Sequence, residues 1–384
     1  MIRTFAPPHP AKDVDHTIVY RRDDEFCAWP YTMGFWQTGS GELVANFMSL
    51  DADYSDAAKV SHDLLGERGG RASRMVTVRS LDRGQSWGDP EFDAYPRVSA
   101  AESGEHSDLS RWGPFNFLDG DVLVGNSSTD FGKPESRAFV RVSKDAGANW
   151  TPAAELPLDG LHSLSAINSA TVRPDGRCLL FLTLVSEDGW NRRPLVYAST
   201  DDGTGFHFLS FITPKEDPYA AAEGSWKSTY RFGGHRWFYP RGTMLPSGRI
   251  LCTLRCQRDP TGVMWSELYF SDDGGLTWEF LSRINDFGAP GSLVAMEDGR
   301  LVVVYGYRLK PYGIRAVVSE DDGASWGPEI IVRDDGGSWD LGYPNAFEVE
   351  PGKIGALYYF NSRHDPLQAN GGVRHIARSI FVLE

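Results

Sequence analysis

Cysteine is scarce, with four in 384 residues: Cys27, Cys178, Cys252 and Cys256. They show neither a zinc-ligand spacing nor the density of a disulfide scaffold, and read as buried free thiols of a reducing compartment. Positive charge is in deficit too, 38 Lys and Arg against 52 Asp and Glu, for a formal net charge of −14. A phosphate backbone needs a positive face, so nucleic acid is not the expected partner, although a local basic pocket could still hold a small anion. No apolar run approaches membrane-spanning length, and Met1 to Pro8 lack the apolar core of a secretion signal. The expectation is a soluble, cytoplasmic chain without a membrane partner; a signal peptide removed earlier would make it secreted. Long segments of 3.6-residue period are missing as well, which argues against a helical fold.

What is plentiful points to β-structure. The 41 Gly and 23 Pro punctuate many short apolar runs, and 12 Trp and 21 Phe supply a layered core. A Ser-x-Asp-x-Gly-x-x-aromatic pattern occurs five times, at Ser80–Trp87, Ser143–Trp150, Ser199–Phe206, Ser271–Trp278 and Ser319–Trp326. In each, the Asp carboxylate can accept from backbone N–H groups just ahead, and the Gly supplies a positive φ. Strand-like runs flank the boxes, so each reads as a hairpin loop. A second hairpin signal, a glycine followed by an apolar run, occurs six times, at Gly41, Gly120, Gly176, Gly248, Gly299 and Gly352. Successive boxes lie 48 to 72 residues apart, the length of a four-stranded propeller blade with variable loops.

Six units therefore fill residues 1–384 as one all-β, six-bladed propeller domain, with residues 1–14 a flexible lead-in. The sixth unit ends without a box, so an outer strand must come from elsewhere. Thr17–Tyr20 is an unclaimed β-branched and aromatic run, and pairing it beside Arg374–Leu383 removes an exposed edge.

Blade geometry puts the boxes on one face and the long loops on the other. The loop face is where function belongs. Here a short motif recurs at the start of each inner strand: Ala28-Trp29-Pro30, Arg111-Trp112-Gly113-Pro114, Ile167-Asn168-Ser169-Ala170, Tyr239-Pro240-Arg241-Gly242, Gly288-Ala289-Pro290-Gly291 and Gly342-Tyr343-Pro344-Asn345. Trp29, Trp112, Asn168, Arg241 and Tyr343 mix flat aromatic surface with hydrogen-bond donors, which suits a sugar; the bland alternative is that the rings only pack. Arginines crowd the same rim, Arg22, Arg241, Arg255, Arg308 and Arg315 among them, as a carboxylate ligand would require. No metal or cofactor motif is present.

The boxes and the count of six resemble the sialidase superfamily, over essentially the whole chain. That resemblance implies a catalytic Tyr activated by a Glu, a loop Asp as acid/base, and three arginines on the substrate carboxylate. Tyr343 looks like the nucleophile, Asp53 like the acid/base residue, and Glu223 is the candidate partner of the tyrosine. Arg255 looks like the second arginine and Arg308 or Arg315 like the third. The motif that gives the family its first arginine is here Cys27-Ala28-Trp29-Pro30, so Ala28 replaces it and Arg22 would have to reach in.

Three readings follow. The first is an exo-acting glycoside hydrolase for a terminal acidic or related sugar. The second is a lyase acting next to a uronic acid, with Tyr343 or Tyr230 and His106, His162 or His364 moving the proton. The third is a carbohydrate-binding propeller without catalysis. All three share a sugar as partner. With Ala28 in place of arginine, ordinary sialosides are expected to be poor substrates.

Overall fold

The computed structural model describes residues 6–60, 62, 73–96, 98, 108–187, 189, 191–215, 236–257 and 263–383. The chain is all-β, built as six small sheets of the six-bladed β-propeller class; among the described residues the helical pieces are short, an α-turn at Pro30–Met33 and 3-10 turns at Ala57–Lys59, Leu109–Arg111 and Ala369–Gly371. Two compact units divide it. One comprises Met1–Gln37, Gly41–Pro96 and Phe287–Glu384; the other comprises Thr38–Ser40 and Arg97–Asp286.

The first unit holds three sheets. Glu25–Ala28, Leu43–Asp51, Ser73–Ser80 and Glu91–Phe92 form one, and Phe35–Gln37 also pairs with Leu43–Asp51 beyond the helical turn. Gly291–Ala295, Leu301–Tyr307, Gly313–Ser319 and Ile330–Arg333 form the next as a meander. In the third, Gly342–Glu350, Lys353–Phe360 and His375–Val382 are joined by Lys12–Tyr20 from the opposite end of the chain. Thr17 lies opposite Arg378 and Ile18 opposite Ala377, so the N-terminal run closes the last blade as its β-branched sequence predicts.

Order begins earlier than expected. Instead of a flexible lead-in to residue 14, His9–Pro10 adds in parallel beside Ile330–Arg333, with His9 N donating to Glu329 O at 3.0 Å and Ala11 N to Ile331 O at 2.9 Å. An edge strand donates to its neighbour from alternate residues only, so the missing N–H of Pro10 falls where no donor is needed.

The second unit holds Leu123–Thr129, Arg137–Ser143 and Ala154–Glu155 in one sheet. Ser165–Val172, Cys178–Val185, Arg192–Ser199 and Phe206–Phe211 make another, and Arg236–Met244, Ile250–Gln257, Met264–Ser271 and Glu279–Arg283 the last. The first of these has three strands among the described residues where four were expected. Pro114 offers no donor there, and Phe115 N donates to Asp202 O instead of to a ladder.

Turn chemistry explains the boxes. In four of them the Ser hydroxyl donates to the Asp carboxylate and accepts from the Gly N–H; Ser271 Oγ lies 2.8 Å from Asp273 Oδ1 and 2.9 Å from Gly275 N. The carboxylate then accepts from a residue four places on, as from Ser325 N to Asp321 Oδ1 at 2.8 Å. The third box departs by one position. Thr200 and Asp202, not Ser199 and Asp201, pair here: Thr200 Oγ1 accepts from Gly205 N at 3.0 Å, and Asp202 accepts from Thr204 N, only two places on, at 3.1 Å. Asp201 instead pairs with Arg177.

The cores lie between sheets. Val302, Val304, Ile314, Ala316, Ile354, Ala356, Tyr358 and Phe360 form a buried cluster in the first unit, and Cys178, Leu180, Leu182, Leu195, Tyr197 and Phe206 belong to one in the second. Lys353–Phe360 is apolar on both faces because both faces are covered. The four cysteines are free and buried.

Candidate functional site

Inner strands are irregular where the aromatic-proline motif falls. Trp29, Tyr239 and Tyr343, each followed by proline, adopt φ of 61°, 59° and 51°, a region that bulky residues rarely enter. Register shifts flank two of them, between Phe238 and Arg241 and between Gly342 and Asn345; a third bulge lies between Ala166 and Ala170, around Asn168. A bulge turns one side chain out of the sheet's alternation, and backbone strain held in place by surrounding structure is typical of binding and catalytic positions.

Around Tyr343 the first unit assembles a polar cluster. Two glycines make it possible: a Cβ on Gly306 would meet Gly342 Cα at 2.9 Å, and one on Gly342 would meet Gly306 Cα at 2.7 Å. Bare backbones therefore touch, and Arg308, just beyond the strand Leu301–Tyr307, reaches the neighbouring loop. Its Nη2 donates to Leu341 O at 3.2 Å, and its guanidinium lies 5.2 Å from the Tyr343 ring centre and 5.5 Å from that of Trp339. Tyr343 is buried, 4% exposed, and packs against Tyr31 and Tyr359 at centroid distances of 6.4 and 5.8 Å.

The loop before Tyr343 is pinned along its length. Gly336 N donates to Tyr312 O, Gly337 N to Asn361 O, Ser338 N to Asn361 Oδ1, and Asn361 Nδ2 to Asp340 O. Asp340, 2% exposed, is thereby fixed at the centre of the cluster. Its Oδ1 accepts from Tyr359 OH at 2.6 Å and lies 3.0 Å from His62 Nδ1, while Oδ2 lies 3.6 Å from Arg374 Nε. Burial alone would raise the Asp340 pKa, but the His62 bond and charge, Arg374 and Tyr359 hold it down at about 2. Burial likewise opposes protonation of His62, yet Asp340 and the nearby Tyr343 raise its pKa above the ordinary value against Arg308. Tyr359 is pushed well up by burial and Asp340. The His62 ring sits edge-on to Trp29 at 5.4 Å and 5.8 Å from Trp339, whose own surface is 46% exposed.

Of the sequence-predicted residues, Trp29, Arg308 and Tyr343 thus come together. The other predictions in this unit have different partners. Arg22 lies 3.8 Å from the Glu25 carboxylate, beside Arg74. Asp53 is exposed and accepts from Lys59 Nζ at 2.8 Å and from Ser55 N at 3.0 Å; these bonds hold it ionised far into acid. Arg315, 4% exposed, lies over the Tyr307 ring at 4.7 Å. Ala28 is fully buried in its strand.

In the second unit, Arg255 stacks on Phe238 at 4.5 Å and on Tyr239 at 5.1 Å, with Arg192 and Arg236 each 5.3 Å from the same Phe238 ring. Arg241 stands opposite Thr253 just past the bulge, and Asn168 is buried at 6% exposure. Trp112 is half exposed, its carbonyl accepting from Lys144 Nζ. His162 bonds to Val185 O, and His364 lies on the surface beside Arg363. Glu223, Tyr230 and His106 lie outside the described residues.

His62, Asp340, Tyr359, Arg374 and Trp339 were missed. Asp340 and Trp339 stand within three and four residues of Tyr343, and that proximity was the available signal. His62 had none, because its partner is 278 positions away.

No family model and no curated protein matches the chain. Solved structures do. A protein of unknown function from Dyadobacter fermentans aligns with a TM-score of 0.64 at 20% identity, covering 97% of this chain and 99% of that one. The Hadza microbial sialidase Hz136 aligns at 0.56 and 14% identity over 93% of this chain and 66% of its own length. An α-L-arabinanase of Penicillium chrysogenum, solved with arabinobiose, aligns at 0.56 and 13% identity over 96% and 97%. The chain has the sialidase-like six-bladed β-propeller fold that these glycosidases share.

Proposed function

We propose that this protein is a glycoside hydrolase acting at the terminus of a glycan on a carboxylate-bearing or related sugar, with Tyr343 as nucleophile. The observation that carries this reading is Tyr343 itself: a tyrosine in a strained bulge, buried beside a guanidinium, with an exposed tryptophan next to that guanidinium. Arg308 would hold an anionic group and stabilise a phenolate, and Trp339 offers a flat face for a sugar ring. The sialidase and arabinanase likenesses support a glycan substrate without naming it. On the superfamily resemblance alone Glu223 is one candidate partner of Tyr343; His62, held on the buried Asp340, is another. Ala28 in place of the motif arginine argues against ordinary sialosides.

The test is a panel of sialosides, uronosides, arabinosides and neutral glycosides incubated with the protein and read by mass spectrometry. Hydrolysis adds the mass of one water to a product, and Tyr343→Phe is expected to lower kcat at least about 100-fold. Full turnover by that variant overturns the assignment. A second reading is favoured by one observation, a histidine, His62, held on the buried Asp340 within the cluster around Tyr343: a lyase would remove a proton next to a uronic carboxylate and leave an unsaturated product without added water.

A further inference from the structure

We propose that His62, oriented by Asp340, is the base that takes the phenolic proton of Tyr343, an inference that rests on Tyr343 being the nucleophile. Asp340 Oδ1 receives both His62 Nδ1 and Tyr359 OH, at 3.0 and 2.6 Å, and the Tyr359 ring packs on Tyr343. One buried carboxylate therefore joins the imidazole to the tyrosine pair. A carboxylate on Nδ1 fixes the tautomer that leaves the Nε2 lone pair as acceptor. Trp29 and Trp339 hold the ring from two sides while 32% of the side chain stays open, so the imidazole is oriented without being sealed off. Among the described residues, Asp340, Tyr343 and Arg308 act on it, with Tyr359 and Arg374 on the far side of Asp340's carboxylate. Asp53, by contrast, is held by Lys59 and Ser55.

The step balances with water as its one co-reactant. The Tyr343 oxygen bonds to the anomeric carbon, its proton passes to His62 Nε2, and the glycosidic C–O bond breaks with its electron pair on the leaving oxygen, which takes a proton from water. The hydroxide so formed attacks the anomeric carbon. The tyrosyl oxygen leaves and recovers the proton from His62. Asp340 is the positioning residue; it touches no reacting atom.

Two measurements test this separately from the parent reading. In protein carrying ¹⁵N-histidine, the His62 ring is expected to titrate above the ordinary value of 6.5 and to move down by about one unit or more in Asp340→Asn. This needs no substrate. On the glycan that the panel identifies, His62→Gln is expected to lower kcat about 100-fold or more with KM within about threefold, and to remove the acidic limb of the pH profile. Asp340→Asn is expected to shift that limb to lower pH. A His62 resonance indifferent to Asp340→Asn, or a His62→Gln enzyme with wild-type kcat and pH profile, overturns the proposal even where Tyr343→Phe is dead. A dead His62→Gln beside an active Tyr343→Phe instead overturns the nucleophile assignment, and with it His62 as the base of that tyrosine.

Discussion

Trp339 shows what a single residue contributes and how it could be overlooked. Its ring is 46% exposed, yet it borders Arg308 and His62 through a loop held by Asn361 and Arg374. An exposed aromatic face beside a guanidinium, on a loop held by hydrogen bonds, is suited to stack on a sugar ring. Trp339→Ala is expected to raise KM about 10-fold, from the loss of roughly 1–1.5 kcal/mol of stacking, with kcat within about threefold. Steady-state kinetics on the identified glycan measure both, and an unchanged KM removes Trp339 from the substrate's path. At this scale the sequence was partly legible. Trp29 and Tyr343 could be named because motif spacing marks strand starts, and Arg308 because arginines crowd the rim and the resemblance calls for a third. His62 and Asp340 meet across 278 positions, and no spacing rule reaches that far.

Elements were more readable, since turn chemistry is local. The Asp and Gly of each box dictate the hairpin from within eight residues, and four boxes bond as their sequence says. The third slipped by one position because Thr200 and Asp202 offer the same chemistry as Ser199 and Asp201. The glycine also has a packing role: a Cβ on Gly84 would lie 2.2 Å from the Phe347 ring of the last blade. Asp273 accepts from Ser271 Oγ, Leu276 N, Thr277 N and Thr277 Oγ1. Burial alone would raise its pKa, but those bonds, led by Thr277, hold it below the ordinary 3.8. A depressed carboxylate stabilises the fold above its unfolded pKa, and the gain fades as pH falls through the folded value. Asp273→Ala is therefore expected to cost about 1–2 kcal/mol at neutral pH, and less as pH drops below 3.8. Thermal melts of both proteins from pH 7 to pH 3 check this; a constant gap contradicts it.

Over the whole chain, the six-sheet fold was legible because repeats report themselves: the hairpin glycines count the units, and the unclaimed run at Thr17–Tyr20 names the closing strand. What stayed hidden was irregularity. Three strands stand in one sheet among the described residues, a parallel pair forms at His9–Pro10, and the inner strands bulge at Asn168, Tyr239 and Tyr343. All but the one at Asn168 fall beside a proline, where a backbone donor is missing, which a periodic pattern does not encode. The bulge at Tyr343 holds the proposed nucleophile, and no repeat announces it, so the fold could be read further than the candidate site. The most direct test of Tyr343 as nucleophile is covalent trapping: incubate the protein with activated fluoro-sugars of the classes in the glycan panel, digest it, and map the adduct by tandem mass spectrometry. A glycosyl adduct is expected on Tyr343 and absent from Tyr343→Phe; an adduct on a carboxylate such as Asp53 or Glu223, with Tyr343 unmodified, would contradict Tyr343 as nucleophile.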